Sequence, residues 1–247
     1  MAFDVSSERS RYVSVLCRGA GPEAMRRLRF RMDLAYRDVN FGGQRVLDVG
    51  GGMGAHSLYA VASGARYVLN LEPEAAGGAD GEAARFIEFR QELGYGQAQI
   101  ERCTFQEWHP PSESFDVVLI QDAINHLDER ACTTLQHDER SVEIYQKLFL
   151  KLAAVARAGA ILVVSDCSSR NVFPALGTGN PFDPAIEWQK HQPPECWVGL
   201  LEKAGFGLVS LRWSTPSCLG SAGEAVFGYR WFAYLYTSHF VIVMRKA

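Results

Sequence analysis

The period of the apolar positions changes along the chain. Met25, Leu28, Met32, Leu34, Ala35 and Val39 recur at roughly helical spacing, so the first 43 residues are predicted to form an N-terminal helical segment. Asn40-Phe41-Gly42-Gly43 stops it. From Gln44 onward short apolar runs alternate with amphipathic stretches, which is the pattern of βαβ units. Strands are predicted near 45–49, 67–71, 99–103, 116–120, 160–165, 207–212 and 239–245, and helices near 53–63, 81–93, 141–157 and 195–204. The third helix carries Tyr145, Leu148, Phe149, Leu152, Val155 and Ala156 on one face, with Ser141 as its expected cap. Val117-Val118-Leu119-Ile120 and Ile161-Leu162-Val163-Val164 are apolar without interruption, as in a parallel sheet covered by helices on both faces. The expected fold is therefore a doubly wound α/β domain over residues 44–247. Its two long connections, 167–194 and 213–238, are expected to be functional insertions.

Composition narrows the setting. The chain has 247 residues, 47% of them hydrophobic and 21% charged, which suits one globular domain with an ordinary core. Its formal net charge of −3 gives no electrostatic reason to expect nucleic acid or an anionic membrane. No apolar run approaches the ~18 residues of a spanning helix, and residues 1–11 are polar and charged rather than signal-like, so a cytoplasmic location is expected. The six cysteines lack a C-x-x-C spacing, and reduced thiols with no bound metal are expected. Arg26, Arg27, Arg29 and Arg31 read best as a solvated helix face, with contact to an anionic substrate as the alternative. The late aromatic run from Phe227 to Tyr236 alternates partly as a strand would, which favours sheet surface, interface or core over an aromatic cage.

The most informative segment is Val46-Leu47-Asp48-Val49-Gly50-Gly51-Gly52-Met53-Gly54-Ala55, a strand that ends in a glycine cluster and opens a helix. Glycines there permit positive φ and close approach of a ligand to the backbone, and the helix N-terminus offers unpaired N–H groups. A nucleotide-like ligand is expected. The spacing Gly50-x-Gly52-x-x-Ala55 also satisfies the relaxed dinucleotide fingerprint. Asp48 argues against it, because a carboxylate repels a diphosphate and suits a ligand bearing an ammonium group.

These residues carry a resemblance. Asp48 to Gly54 resembles the first motif of the class I S-adenosylmethionine-dependent methyltransferases, D-x-G-x-G-x-G. Glu72, which follows Tyr67-Val68-Leu69-Asn70-Leu71, is similar to that family's ribose-binding acid, and Phe115 to Leu127 resembles its fourth-strand motif. The Gly205-Phe206 turn and the closing strand resemble its terminal hairpin. The resemblance implies a seven-stranded, mostly parallel sheet with an antiparallel last strand, and S-adenosylmethionine as cofactor. It implies cofactor contacts from Asp48, Gly50, Gly51, Gly52, Gly54, Glu72 and Gln121. Thr104 stands where many relatives place an adenine-binding Asp, and Phe105 is placed against the purine, with plain core as its equal alternative.

Methyl transfer from an activated sulfonium needs alignment of the nucleophile and, for a hydroxyl, removal of a proton. His126, just past the fourth strand, is the first candidate base, with a loop-orienting role of equal weight. His191, in the insertion after the fifth strand, is the second, and His137 with Asp138 the third. Asp122, Asn125 and Trp188 are placed against the acceptor. No Asp/Asn-Pro-Pro-Tyr/Phe or Pro-Cys follows the fourth strand, which disfavours nucleic-acid bases, and no Asn adjoins Asp166 to complete a magnesium site. The expected activity is O-methylation of a small molecule. N-methylation of an amine, a non-catalytic S-adenosylmethionine-binding protein and a nicotinamide-dependent oxidoreductase are the alternatives.

Overall fold

The computed structural model describes residues 4–73, 81–109 and 114–247. Two helices precede the sheet. The first, α1 (Val5–Leu16), begins at Asp4, whose carboxylate accepts the Ser6 amide at 3.1 Å; the second, α2 (Gly21–Tyr36), opens on a proline, whose missing N–H costs nothing in a first turn. The single N-terminal segment expected from periodicity is thus two helices. Gly19 and Gly21, at φ +80° and +79°, turn the chain between them.

Strands and helices then alternate as β1 (Arg45–Val49), α3 (Ala55–Ala62), β2 (Tyr67–Leu71), α4 (Glu82–Leu93), β3 (Ala98–Glu101), β4 (Phe115–Gln121), α5 (Glu129–Thr134), α6 (Glu139–Val155) and β5 (Ala156–Cys167). After them come α7 (Val172–Ala175), α8 (Pro194–Lys203), β6 (Phe206–Trp213), α9 (Gly220–Phe227), α10 (Arg230–Leu235) and β7 (His239–Lys246). The seven strands lie in the order β3-β2-β1-β4-β5-β7-β6, with β7 antiparallel to both of its neighbours and every other pairing parallel. This is the expected doubly wound sheet with an antiparallel last strand.

Alternate residues of each strand supply two cores. Val46, Val68, Val117, Leu119 and Val163 pack beneath α1 to α4, and Leu47, Leu69, Val118, Ile120 and Leu162 pack against α5, α6 and α8. The largest fully buried side chain among the described residues, Trp197, packs at a tilt on Tyr145, ring centroids 5.1 Å apart, and so ties α8 to α6.

Three local expectations need correction. The third predicted helix ends at Val155 rather than 157, because Ala156 already pairs with Phe115 while Arg157 Nη1 reaches Asp116 Oδ1 at 2.8 Å. Its cap is Asp138, whose Oδ1 accepts the Arg140 amide; Ser141 instead donates its hydroxyl to Asp138 Oδ2 at 3.0 Å. The late aromatic run forms α9 and α10 rather than sheet surface, and Gly228, at the C-cap of α9, separates the two.

The helix after the glycine turn starts on Gly54, at φ +82°, where a Cβ would lie 2.2 Å from the buried Phe86 ring. Gly19 has nearly the same φ, with nothing within 4 Å of a Cβ. Gly54→Ala should therefore lose about 2–4 kcal/mol in urea unfolding, from the left-handed backbone plus the forced repacking, and Gly19→Ala only the backbone share of about 1–2 kcal/mol. Equal losses would show that Phe86 yields freely.

Candidate functional site

The strand order reverses between β1 and β4, whose neighbours leave in opposite directions, and the crevice outside their C-terminal ends is where such sheets bind ligands. Two loops meet there. On the β1 side, Gly50, Gly52 and Gly54 all take positive φ. A Cβ on Gly50 would strike Ala123 at 2.7 Å and one on Gly51 would strike Asn70 at 2.5 Å, so these glycines permit packing against β4 and β2. Gly52 is different. Among the described residues a Cβ there would meet only the Glu82 carboxylate, at 3.3 Å, so its backbone faces room for a ligand. Its N–H donates to Glu72 Oε2 at 2.8 Å and its carbonyl accepts from Asn70 Nδ2 at 3.0 Å, which fixes the turn against the end of β2. Among the described residues only Oε2 of Glu72 is engaged in this way, and burial raises the carboxyl above its ordinary value. A carboxylate held beside an open glycine backbone fits a ribose diol, and the turn as a whole fits a nucleoside.

Asp48 lies beneath that turn, with no exposed surface. Its Oδ2 accepts the Ser57 hydroxyl at 2.7 Å; among the described residues its Oδ1 and the Oδ1 of Asn70, its register partner on β2, are buried without a hydrogen-bond partner. Thr104 is half-buried and donates its hydroxyl to Glu107 Oε2 at 2.8 Å. Phe105 is buried in the core, with its ring centroid 6.3 Å from that of Trp108.

On the other side, β4 ends in Gln121, whose amide bridges Val163 O and Ser165 Oγ, and then turns at Asp122, at φ +52°. The Asp122 N–H still donates to Ser165 O at 2.9 Å, while its carboxylate meets Arg31 of α2 at 2.8 Å. The hydroxyl of Tyr145, within 3.0–3.2 Å of the carbonyls of Ile124, Asn125 and Asp128, supports the loop that follows.

Here the candidate bases part. His126 is half exposed, with Nδ1 2.7 Å from Oε1 of Glu129 at the start of α5. His191, carried in from the insertion, has Nδ1 2.9 Å from Oδ1 of Asp166, a carboxylate 1% exposed near the end of β5. His137 lines neither cavity described below, and Trp188, half-buried in the turn Trp188–Lys190, also lines neither. Asp122, Asn125, His126, Asp166 and His191 share a cavity of about 220 Å³, and Asp122 also lines a larger one of about 570 Å³ between α2 and the second insertion. Both cavities are also lined by Asp183, which sequence reading overlooked, and by His239, which it took as structural. Asp183 lies on a loop of no periodicity, and His239 was assigned to the closing strand.

No family model and no curated protein sequence matches the chain. Solved structures do. An S-adenosylmethionine-dependent methyltransferase from Mesorhizobium loti superimposes with a TM-score of 0.59 at 19% identity, over 92% of this chain and 99% of that one. A SAM-dependent methyltransferase from Aquifex aeolicus gives 0.58 at 14% identity over all of both chains. The 4+2 cyclase SpnF gives 0.60 at 18% identity, over 90% of this chain and 82% of the other. The chain has the Rossmann-like fold of the class I methyltransferases. A cyclase among these similar structures means that the fold leaves the reaction open.

Burial pushes the Asp48 carboxyl up to about 7, against hydrogen bonds from Ser57 that favour its charged form. Because the folded chain prefers the neutral acid, the contribution to stability is complete below the ordinary value of 3.8 and is lost as pH rises through about 7. Unfolding free energy should carry a decline on the order of 1.4 kcal/mol per pH unit from this group across that window, and Asp48→Asn should remove it. Parallel wild-type and variant curves in denaturant titrations across the window would contradict the assignment.

Proposed function

We propose that the protein is an S-adenosylmethionine-dependent methyltransferase that acts on a hydroxyl group of a small molecule. The observation that carries this reading is the placement of the Gly52–Glu72 turn after β1 and β2 and of the His191–Asp166 pair at the end of β5, on the same side of one sheet, with Asp166 and His191 lining the smaller cavity. Gly50, Gly51, Gly52 and Glu72 would hold the nucleoside, with Asp48 and Gly54 shaping the turn from beneath and Gln121 and Asp122 closing the far side. When bound, S-adenosylmethionine supplies a methyl group on a positively charged sulfur.

The chain's own residues supply alignment and a proton acceptor. Asp166 Oδ1 also accepts the Cys167 amide at 2.7 Å, so the carboxylate is fixed to the backbone and in turn fixes the His191 ring. With Nδ1–H directed at Asp166, the other ring nitrogen is the acceptor, free to take a hydroxyl proton as the oxygen becomes nucleophilic. His126, half exposed and turned to Glu129, is better suited to shaping the loop. The cavity walls supply Phe30, Phe182, Tyr236 and Phe240 together with Ser214, Thr215 and Thr237, a surface that suits a small organic molecule better than a polymer.

His191→Ala should lower kcat by about 10²- to 10⁴-fold with any acceptor that is turned over, and leave the Kd for S-adenosylhomocysteine unchanged in titration calorimetry. Asp166→Asn should follow it with a smaller loss, and His126→Ala should cost less than about tenfold. A loss confined to His126→Ala would return the base to the fourth-strand loop, and failure of the wild type to bind S-adenosylhomocysteine would refute the proposed activity.

A further inference from the structure

The smaller cavity has an acidic wall that proton removal does not require. Asp122, Asp166, Asp183 and Glu187 line it, against one lysine, Lys190. That lysine is engaged elsewhere, with Nζ 2.9 Å from Glu187 and 3.2 Å from Glu129. Asp122 is met by Arg31, and Asp166 by His191. Asp183 differs: among the described residues its carboxylate accepts only the Ala185 amide of its own turn, at 3.3 Å, and has no ion pair.

A second observation is independent of charge. Among the described residues, Asp166 Oδ2 and Asn125 Oδ1 are buried without a hydrogen-bond partner, in residues each 1% exposed that line this cavity. The carboxylate atom is the more telling, because turning an amide round exchanges acceptor for donor and a carboxylate has no donor to offer. Buried acceptors without donors are rare in folded proteins and point to a missing partner. Asp122, Asp166 and Asp183 line this cavity together with Cys167. Burial raises the Cys167 thiol above its ordinary value, and Asp166, Asp122 and Asp183 raise it further.

What fits must donate several hydrogen bonds and carry positive charge. A hydroxyl donates once and is neutral, whereas an alkylammonium donates up to three times and offsets the acidic wall. A metal ion is the other cation to weigh, yet among the described residues no group of three His, Cys, Asp or Glu side chains is placed to hold one. The larger cavity, which shares Asp122, Asp183 and His239 with the smaller, has room for the organic body of such a molecule.

We propose that the methyl acceptor carries a protonated amine, seated in the smaller cavity against Asp183 with Asp166 Oδ2 and Asn125 Oδ1 as further acceptors of its N–H groups. This specificity rests on the methyltransferase reading for the word acceptor, but the amine site itself does not. Three probes of one size separate the contributions: tyramine, its neutral analogue para-ethylphenol, and the anionic para-hydroxyphenylpropionate. Their binding is measured by ligand-observed NMR on the full chain, with and without S-adenosylhomocysteine. Tyramine should bind at least about tenfold more tightly than para-ethylphenol, and the propionate most weakly.

Asp183→Asn keeps a side-chain oxygen for the Ala185 amide and should reduce tyramine to the level of para-ethylphenol, while Asp183→Glu should retain part of the preference. Equal binding of the three, a preference for the propionate, an Asp183→Asn variant as good as wild type, or no binding of any probe would each overturn the proposal. Calorimetric titration of the same sample with S-adenosylhomocysteine keeps the two readings apart. Cofactor binding without amine preference sinks only the amine site, and amine preference without cofactor binding sinks only the methyltransferase reading.

Discussion

Most of what this chain can do depends on the reversal of strand order between β1 and β4. Because β1 hands on to β2 on one side and pairs with β4 on the other, the connections leaving their C-terminal ends diverge and leave a crevice. Among the described residues, the loops at that crevice are tied to buried strands. The glycine turn rests on Asn70 and Glu72 from β2, and Asp122 is held by the β5 carbonyl of Ser165. The two cores on the two faces of the sheet exist to keep these ends in register.

The antiparallel β7 has a comparable role at the other edge of the site. Inserted between β5 and β6, it brings Phe240 opposite Asp166 and His239 opposite Cys167, so the chain segment that precedes it is forced over the end of β5. Asn171 and Asn180 both donate to Tyr236 O, at 3.0 and 2.8 Å, and join the first insertion to the second. These bonds between insertions, together with the Arg31–Asp122 and Arg37–Glu224 ion pairs from α2, build the cavity walls from three separate parts of the sequence.

How legible this was depends on the physics of each part. The central strands were readable because burial on both faces leaves uninterrupted apolar runs, and the glycine turn because positive φ and close packing restrict residue choice at Gly50 and Gly54. The start of β5 was not: Ala156-Arg157-Ala158 are good helix formers, and only pairing with Phe115 makes the first of them extended. The aromatics of α9 and α10 alternate well enough to mimic a strand. Asp166 was visible as a polar residue at the end of the fifth strand and His191 as one in the insertion that follows it, but their union spans 25 positions, and no sequence period encodes it. Asp183 was invisible for the same reason.

The central claim is that the glycine turn and the His191–Asp166 pair serve one reaction. A crystal structure of the complex with S-adenosylhomocysteine tests it most directly. The account predicts the ribose against Glu72 and the Gly52 backbone, with the sulfur directed toward the cavity that Asp122 and His191 share. A ligand bound elsewhere, or bound at the turn with its sulfur facing away from that cavity, would contradict it.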